Sequence, residues 1–509
     1  MGKERIISRT IKKNKIKSMN RNVLIVGAGL GGLATALRLA KKGFKVEIIE
    51  KNSQAGGRLN QIKKDGFTFD TGPSFFSMSF EFKEFAKDCN IQLPFKYVEL
   101  DPLYTVNFSD NPKTFSLYKD IKKLAEQFKD IEPDFEEKMT KYLAKSGALF
   151  NDTVDLVIKN NFDSIFAYII TLMRVNPTHI PVLFRSFWQE VKRNFTSKEA
   201  QQIVSLVAFF LGRTPFDTMA IYTLLSYTEF KHDGYYNVDG GMYKIIEGIV
   251  DELKKENVKI TYNTEIVDYV GKGKKLEYLL DSNGNKWCAD AILINGDAAV
   301  FRSRVFKREK YSLEKLDKMN WTMGYLTFYI GLKCKLPQVN HHNYYLGANF
   351  EEYANNILQD PDTLQKPYYY VNVLSKYNLE CAPEGCESLF FVCPVPNLLN
   401  KPNWDDKDTI VDSIIADFSK RIDKNIVPEI ISKTIYTPNE WQNQFNLHRG
   451  SGLGLSHSMN QIGAFRPSNF DEKFKNVFYV GASTIPGAGL PMAIISSKLA
   501  YKRIDTFLK

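Results

Sequence analysis

Residues 23–33, Val-Leu-Ile-Val-Gly-Ala-Gly-Leu-Gly-Gly-Leu, constrain the fold more than any other stretch of the chain. Four apolar residues, Val23 to Val26, read as a buried parallel strand. Gly27, Gly29 and Gly32 then supply a G-x-G-x-x-G turn that opens a helix over Leu33–Ala40. Gly27 permits the tight turn, Gly29 lets the backbone approach a pyrophosphate, and Gly32 lets the helix lie close on the strand. Together with Ala28, Leu30 and Gly31 they place a diphosphate at the helix N-terminus. A second strand, Lys45–Ile49, ends at Glu50, where a carboxylate can bond a ribose hydroxyl, with Lys51 next in the chain. A glycine turn alone is weak evidence. Set between strand, helix, strand and acid, it predicts an α/β fold built on a Rossmann-like nucleotide-binding unit.

With 509 residues, 44% apolar and 25% charged, the chain has room for two or three domains and a large core. The net charge of +10 is concentrated at one end. Residues 1–21 carry eight basic side chains against the single acid Glu4, which leaves only +3 for the rest. Nothing therefore points to a nucleic-acid groove, although a basic arm can touch an anionic bilayer. The arm lacks an apolar core of secretory length, and Met19, just before the first strand, is an alternative start to Met1. Six dispersed cysteines argue for reduced thiols in a cytosolic setting. Cys381, Cys386 and Cys393 lack metal-site spacing, so no metal is expected.

After Glu50 come Gly56-Gly57-Arg58, which can offer backbone N–H groups and a guanidinium to phosphate, and Gly72-Pro73-Ser74, which breaks the chain where a flat ring could approach. From about Phe80 to Lys231 the pattern reads as helices. Apolar stripes at 162–173 and 180–188, with Arg174, Arg185, Lys192 and Arg193 on their margins, suit either a core or a monotopic membrane surface. The run Ser164–Met173 is about half the length of a membrane span. Beyond Gly240-Gly241-Met242 a helix and the strands Val258–Tyr262, Glu265–Val270 and Ala291–Ile294 return to the nucleotide unit. Residues 300–440 mix strands with short helices. The strand Asn476–Val480 ends at Gly481, and a final helix runs from about Leu490 to Phe507.

These blocks together resemble the bacterial-type phytoene desaturases, the carotenoid desaturase branch of the flavin amine-oxidase-like enzymes, over essentially the whole chain from Asn22. The matching residues are Val23–Gly32, Glu50, Gly56–Arg58 and Asp70-Thr-Gly-Pro-Ser74. Later ones are Gly240–Met242, Ala382–Gly385 with Pro394–Pro396, Phe465-Arg466-Pro467 and Val480–Pro491. The closing block is the specific one. The resemblance implies a discontinuous FAD-binding domain of glutathione-reductase type over 22–79, 232–300 and 460–509. It also implies a largely helical, membrane-facing region over 80–231 and a sheet-containing α+β substrate domain over 301–459. Its cofactor residues would be those already named together with Val267, Gly481, Ala482, Gly489, Leu490 and Met492. The last three begin a helix whose N-terminus can face a flavin and stabilise charge on its reduced form, which an NAD enzyme does not need.

The implied activity is desaturation of a long carotenoid by hydride transfer to FAD, in a cytoplasmic protein peripherally bound to the membrane, with a quinone or oxygen as electron acceptor. A 1-hydroxycarotenoid 3,4-desaturase, a diapophytoene desaturase or oxidase, a carotene isomerase or a flavin-free lipid escort would look similar. Where the family often has an aromatic-Pro pair before the double glycine, this chain has Asn237-Val-Asp239, a departure that bears on the substrate. No catalytic base is assigned. His232, His341, His342, His448 and His457 are candidates by residue type alone, and Arg466 is expected to anchor its loop or the flavin.

Overall fold

The computed structural model describes residues 21–359, 364 and 368–509; the basic arm up to residue 20 lies outside them. Strands from the start, middle and end of the chain join in one five-stranded parallel sheet. Its order is Lys259–Thr261, Lys45–Ile49, Asn22–Val26, Ala291–Ile294, Val477–Tyr479. The central strand is apolar throughout because both of its faces are covered. Val23 and Ile25 pack under the helices Leu30–Ala40, Lys244–Lys255 and Leu490–Leu508, while Leu24 faces the antiparallel strands Ile266–Lys272 and Lys275–Asp281. The first helix starts at Leu30, one turn earlier than the sequence pattern suggests, because the glycines themselves are helical.

A second sheet of seven strands stands beside the first. Its order is Ile430–Tyr436, Gly324–Leu332, Glu387–Val395, Tyr369–Val373, His342–Leu346, Tyr104–Phe108, Asn111–Leu117. Every pair is antiparallel except His342–Leu346 with Tyr104–Phe108. The region 80–231 is thus not helical throughout. Its hairpin Tyr104–Leu117 completes the seven-stranded sheet, and Tyr97–Glu99 pairs with Tyr235–Val238. Helices such as Phe135–Thr153 pack on this sheet in the largest core.

The segment with the apolar stripes divides in two. Phe187, Trp188, Val191 and Phe195 are core residues, whereas the helix Ile165–Leu172 buries only Tyr168. Phe166, Met173 and Phe184 are 72%, 81% and 78% exposed. Among the described residues no helix is long and apolar enough to cross a membrane.

Candidate active site

The carboxyl ends of the parallel strands open into a cavity of about 760 Å³ that runs on between the two sheets. At the end near the parallel sheet, Gly27 turns the chain with φ +100°. A Cβ on Gly32 would stand 2.5 Å from the Gly27 carbonyl oxygen, so only glycine allows this helix its approach. The helix Leu30–Ala40 begins at Gly29 with no capping side chain and no acid in its first turn, leaving its first N–H groups for an anion. The helix Leu490–Leu508 begins the same way at Gly489, again uncapped and without an acid, and lines the same cavity.

Glu50 bridges the loops around the turn. Its carboxylate accepts the Ala28 N–H at 2.7 Å and the Asn52 N–H at 2.9 Å; burial raises its pKa and these two bonds oppose the rise. The second glycine turn is tied to the first, since the Gly56 N–H donates to the Ala28 carbonyl at 2.8 Å. Arg58 donates to the Gly452 carbonyl at 3.0 Å. Burial lowers its pKa and Asp297 pulls it back up.

Of the expected cofactor residues, Gly27, Gly29, Leu30, Gly31, Glu50, Lys51, Gly57, Arg58, Gly72, Pro73 and Ser74 line the cavity, as do Val267, Gly481, Ala482, Gly489, Leu490 and Met492. Ala28 and Gly32 do not: Ala28 is fully buried behind the turn, and Gly32 serves helix packing. No histidine lines the cavity among the described residues. His448 bonds Asp317 at 2.8 Å, and His457 accepts the Ala488 N–H at 3.3 Å beside the closing glycine block. Arg466 donates to the carbonyls of Leu455, Ser456, Gln461, Ala482 and Thr484, so it knits that block to the preceding loop.

Several site residues escaped the sequence reading. Asn295 follows the strand Ala291–Ile294 and donates to the Gly27 carbonyl at 3.1 Å, wedged against Gly29 and Gly32. Asp297 caps the next helix and bonds Ser483, and Arg304 at that helix's end joins Lys51 and Arg58 as a third cation on the cavity wall. The usable signal was position, since residues just past the end of a parallel strand sit at the ligand crevice. Asn237 is also explained. It pairs amide to amide with Asn378, whose Oδ1 accepts the Gly240 N–H at 2.8 Å. Residues 237–239 do not line the cavity, so this departure bears on packing and not on the substrate wall.

Between the sheets the wall becomes apolar and aromatic, with Phe75, Phe210, Tyr235, Tyr325, Tyr344 and Tyr370 around it. Tyr370 donates to Ser74 Oγ at 2.9 Å and so ties this wall to the Gly72–Ser74 turn. The cavity thus joins a polar end lined by the glycine turns and Glu50 to an apolar, aromatic slot.

Comparison with known proteins gives the family. The family model for flavin containing amine oxidoreductases matches residues 30–504. A phytoene desaturase of Fusarium fujikuroi is 30% identical over 96% of this chain and 90% of its own length. A zeta-carotene-forming phytoene desaturase of Myxococcus xanthus is 30% identical over 96% and 95%. In fold, an oxidoreductase from Methanosarcina mazei superposes with a TM-score of 0.59 at 16% identity, over 94% of this chain and 99% of that one. The chain is therefore an FAD-dependent oxidoreductase of the flavin-containing amine oxidoreductase family and belongs to its carotenoid desaturase branch.

Proposed function

We propose that the protein introduces double bonds into a long apolar polyene of the phytoene class. The observation that carries this reading is the continuity of one cavity from the uncapped glycine turn and Glu50 to the aromatic slot between the sheets. FAD, when bound, supplies the hydride acceptor that no side chain can be. The chain's own residues hold and orient. The N–H groups at Leu30 and Gly31, with Arg58, would take the diphosphate, and Glu50 a ribose. The helix beginning at Leu490 would set its positive end against the ring that gains charge. The aromatic slot excludes water and aligns the chain to be oxidised.

The exposed apolar patch at 165–184 supports peripheral binding to a bilayer, from which such a substrate is drawn. Val182 from this patch packs in one cluster with Met78, Leu225 and Met492, which reach the cavity. Reoxidation by a quinone dissolved in the same bilayer, or by oxygen, completes the cycle. Co-expression with phytoene-forming enzymes tests the reading. Pigments absorbing at longer wavelength than phytoene are expected, and an unchanged pigment spectrum would contradict it.

A further inference from the structure

One buried carboxyl stands next to the aromatic slot, just behind the residues that line it. Glu229 lies in a π-helical turn, Thr228–His232, a wide winding often found at functional sites. Its neighbour Thr228 lines the cavity, and the chain returns at once through Tyr235, which lines it too. Glu229 is buried and accepts the Tyr104 hydroxyl at 2.6 Å, and Tyr235, whose ring lies 6.2 Å from that of Tyr104, stands beside it. Among the described residues no cation pairs with it. A carboxyl placed this way is expensive, and a glutamine or methionine would fill the volume at lower cost. Burial pushes its pKa up to about 8 against the pull of the two phenols.

The groups that face it are phenols. Tyr104, Tyr142, Tyr235 and Tyr344 are all held above their ordinary range by burial and stay neutral. His342, stacked on Phe75 with ring centroids 4.0 Å apart, is held well below its ordinary value, also by burial, and is neutral as well. Among these facing groups, the Glu229 carboxyl is the one whose pKa is shifted toward neutral pH.

We propose that Tyr235 touches the substrate and passes to Glu229 the proton that leaves carbon as each double bond forms. Desaturation takes a hydride from one carbon and a proton from its neighbour. The hydride carries two electrons to the flavin, and the pair left by the proton becomes the new π bond. The substrate's proton bonds to the phenolic oxygen of Tyr235 while that residue's own proton moves to the Glu229 carboxylate. Tyr235 ends unchanged, Glu229 ends as a neutral acid, and its proton returns to solvent before the next cycle. Glu229 acts through Tyr235 as a positioning and proton-storing residue.

The inference rests on the desaturase reading and is tested on the holoenzyme with phytoene in phosphatidylcholine vesicles. Wild-type kcat is expected to rise with pH as Glu229 ionises and then level off. Glu229→Gln and Tyr235→Phe are each expected to lower kcat by about a hundredfold or more, with KM and FAD binding kept. Glu229→Asp should recover part of the rate with a displaced pH profile. Infrared titration of the holoenzyme without substrate gives a second readout, in which a protonated-carboxyl band titrates near pH 8 in wild type and is missing from Glu229→Gln. Wild-type turnover combined with an unaltered rate, pH profile and infrared band in Glu229→Gln overturns the inference alone. A wild type that dehydrogenates no polyene overturns the desaturase reading with it.

Discussion

The carboxylate of Asp70 accepts the backbone N–H of Met242 at 2.9 Å and that of Tyr243 at 3.4 Å. Two motifs 172 residues apart in sequence, Asp70–Ser74 and Gly240–Met242, are one contact in the fold. Asp70 satisfies the entry to the helix Lys244–Lys255 and fixes the turn that carries Gly72–Ser74 to the cavity. Asp70→Ala leaves two buried donors without a partner and should cost roughly 2 kcal/mol or more in chemical denaturation, with loss of bound flavin.

The same residue gives a pH dependence. Burial pushes its pKa up to about 7, so the folded chain holds a proton that the unfolded chain releases in the ordinary carboxylate range. Its contribution is complete at low pH and is lost as pH rises toward about 7. Melting temperature measured across that window should fall less steeply for Asp70→Asn than for wild type.

Glu50→Gln is expected to weaken FAD binding roughly ten- to a hundredfold, since a charged acceptor that holds two loop N–H groups, and in the proposed function would hold a ribose, is replaced by a neutral one. Flavin fluorescence titration of the apoprotein measures this. An unchanged affinity would remove Glu50 from the site.

Gly32→Ala places a methyl 2.5 Å from the Gly27 carbonyl oxygen, backbone that cannot give way without moving the turn. Protein purified from this variant should be colourless or poorly folded. Circular dichroism separates the two outcomes.

Phe166 and Phe184 lie on the exposed patch. If each inserts into the acyl region it contributes about 1.5–3 kcal/mol, so replacing both with Ser should weaken vesicle partitioning on the order of a hundredfold or more. Flotation with phosphatidylcholine vesicles is the measurement, and equal flotation of wild type and variant would move the membrane face elsewhere.

Much of the parallel sheet was legible because Val23–Val26 and Ala291–Ile294 are short apolar runs covered on both faces. The hairpin Tyr104–Leu117 was not, because it lies among helices and carries Pro112. That residue is tolerated because Asn111–Leu117 is the outer strand of its sheet. The glycine-lined end of the cavity was legible where one contiguous loop supplies it, as at Gly27–Gly31. Asn295, Asp297 and Arg304 were missed because they are brought to the cavity only through strand pairing across more than 260 residues. The bond between Tyr104 and Glu229 beside Tyr235 likewise depends on how distant segments fold together, which no local pattern shows.

The central claim is that one cavity serves both a flavin and a polyene. Anaerobic mixing of the FAD-loaded protein with phytoene in vesicles, followed by absorbance spectroscopy, tests it most directly. The account predicts that flavin colour bleaches as longer-wavelength polyene bands appear, with one flavin reduced for each double bond formed. A flavin that stays oxidised while the polyene spectrum stays unchanged would contradict it.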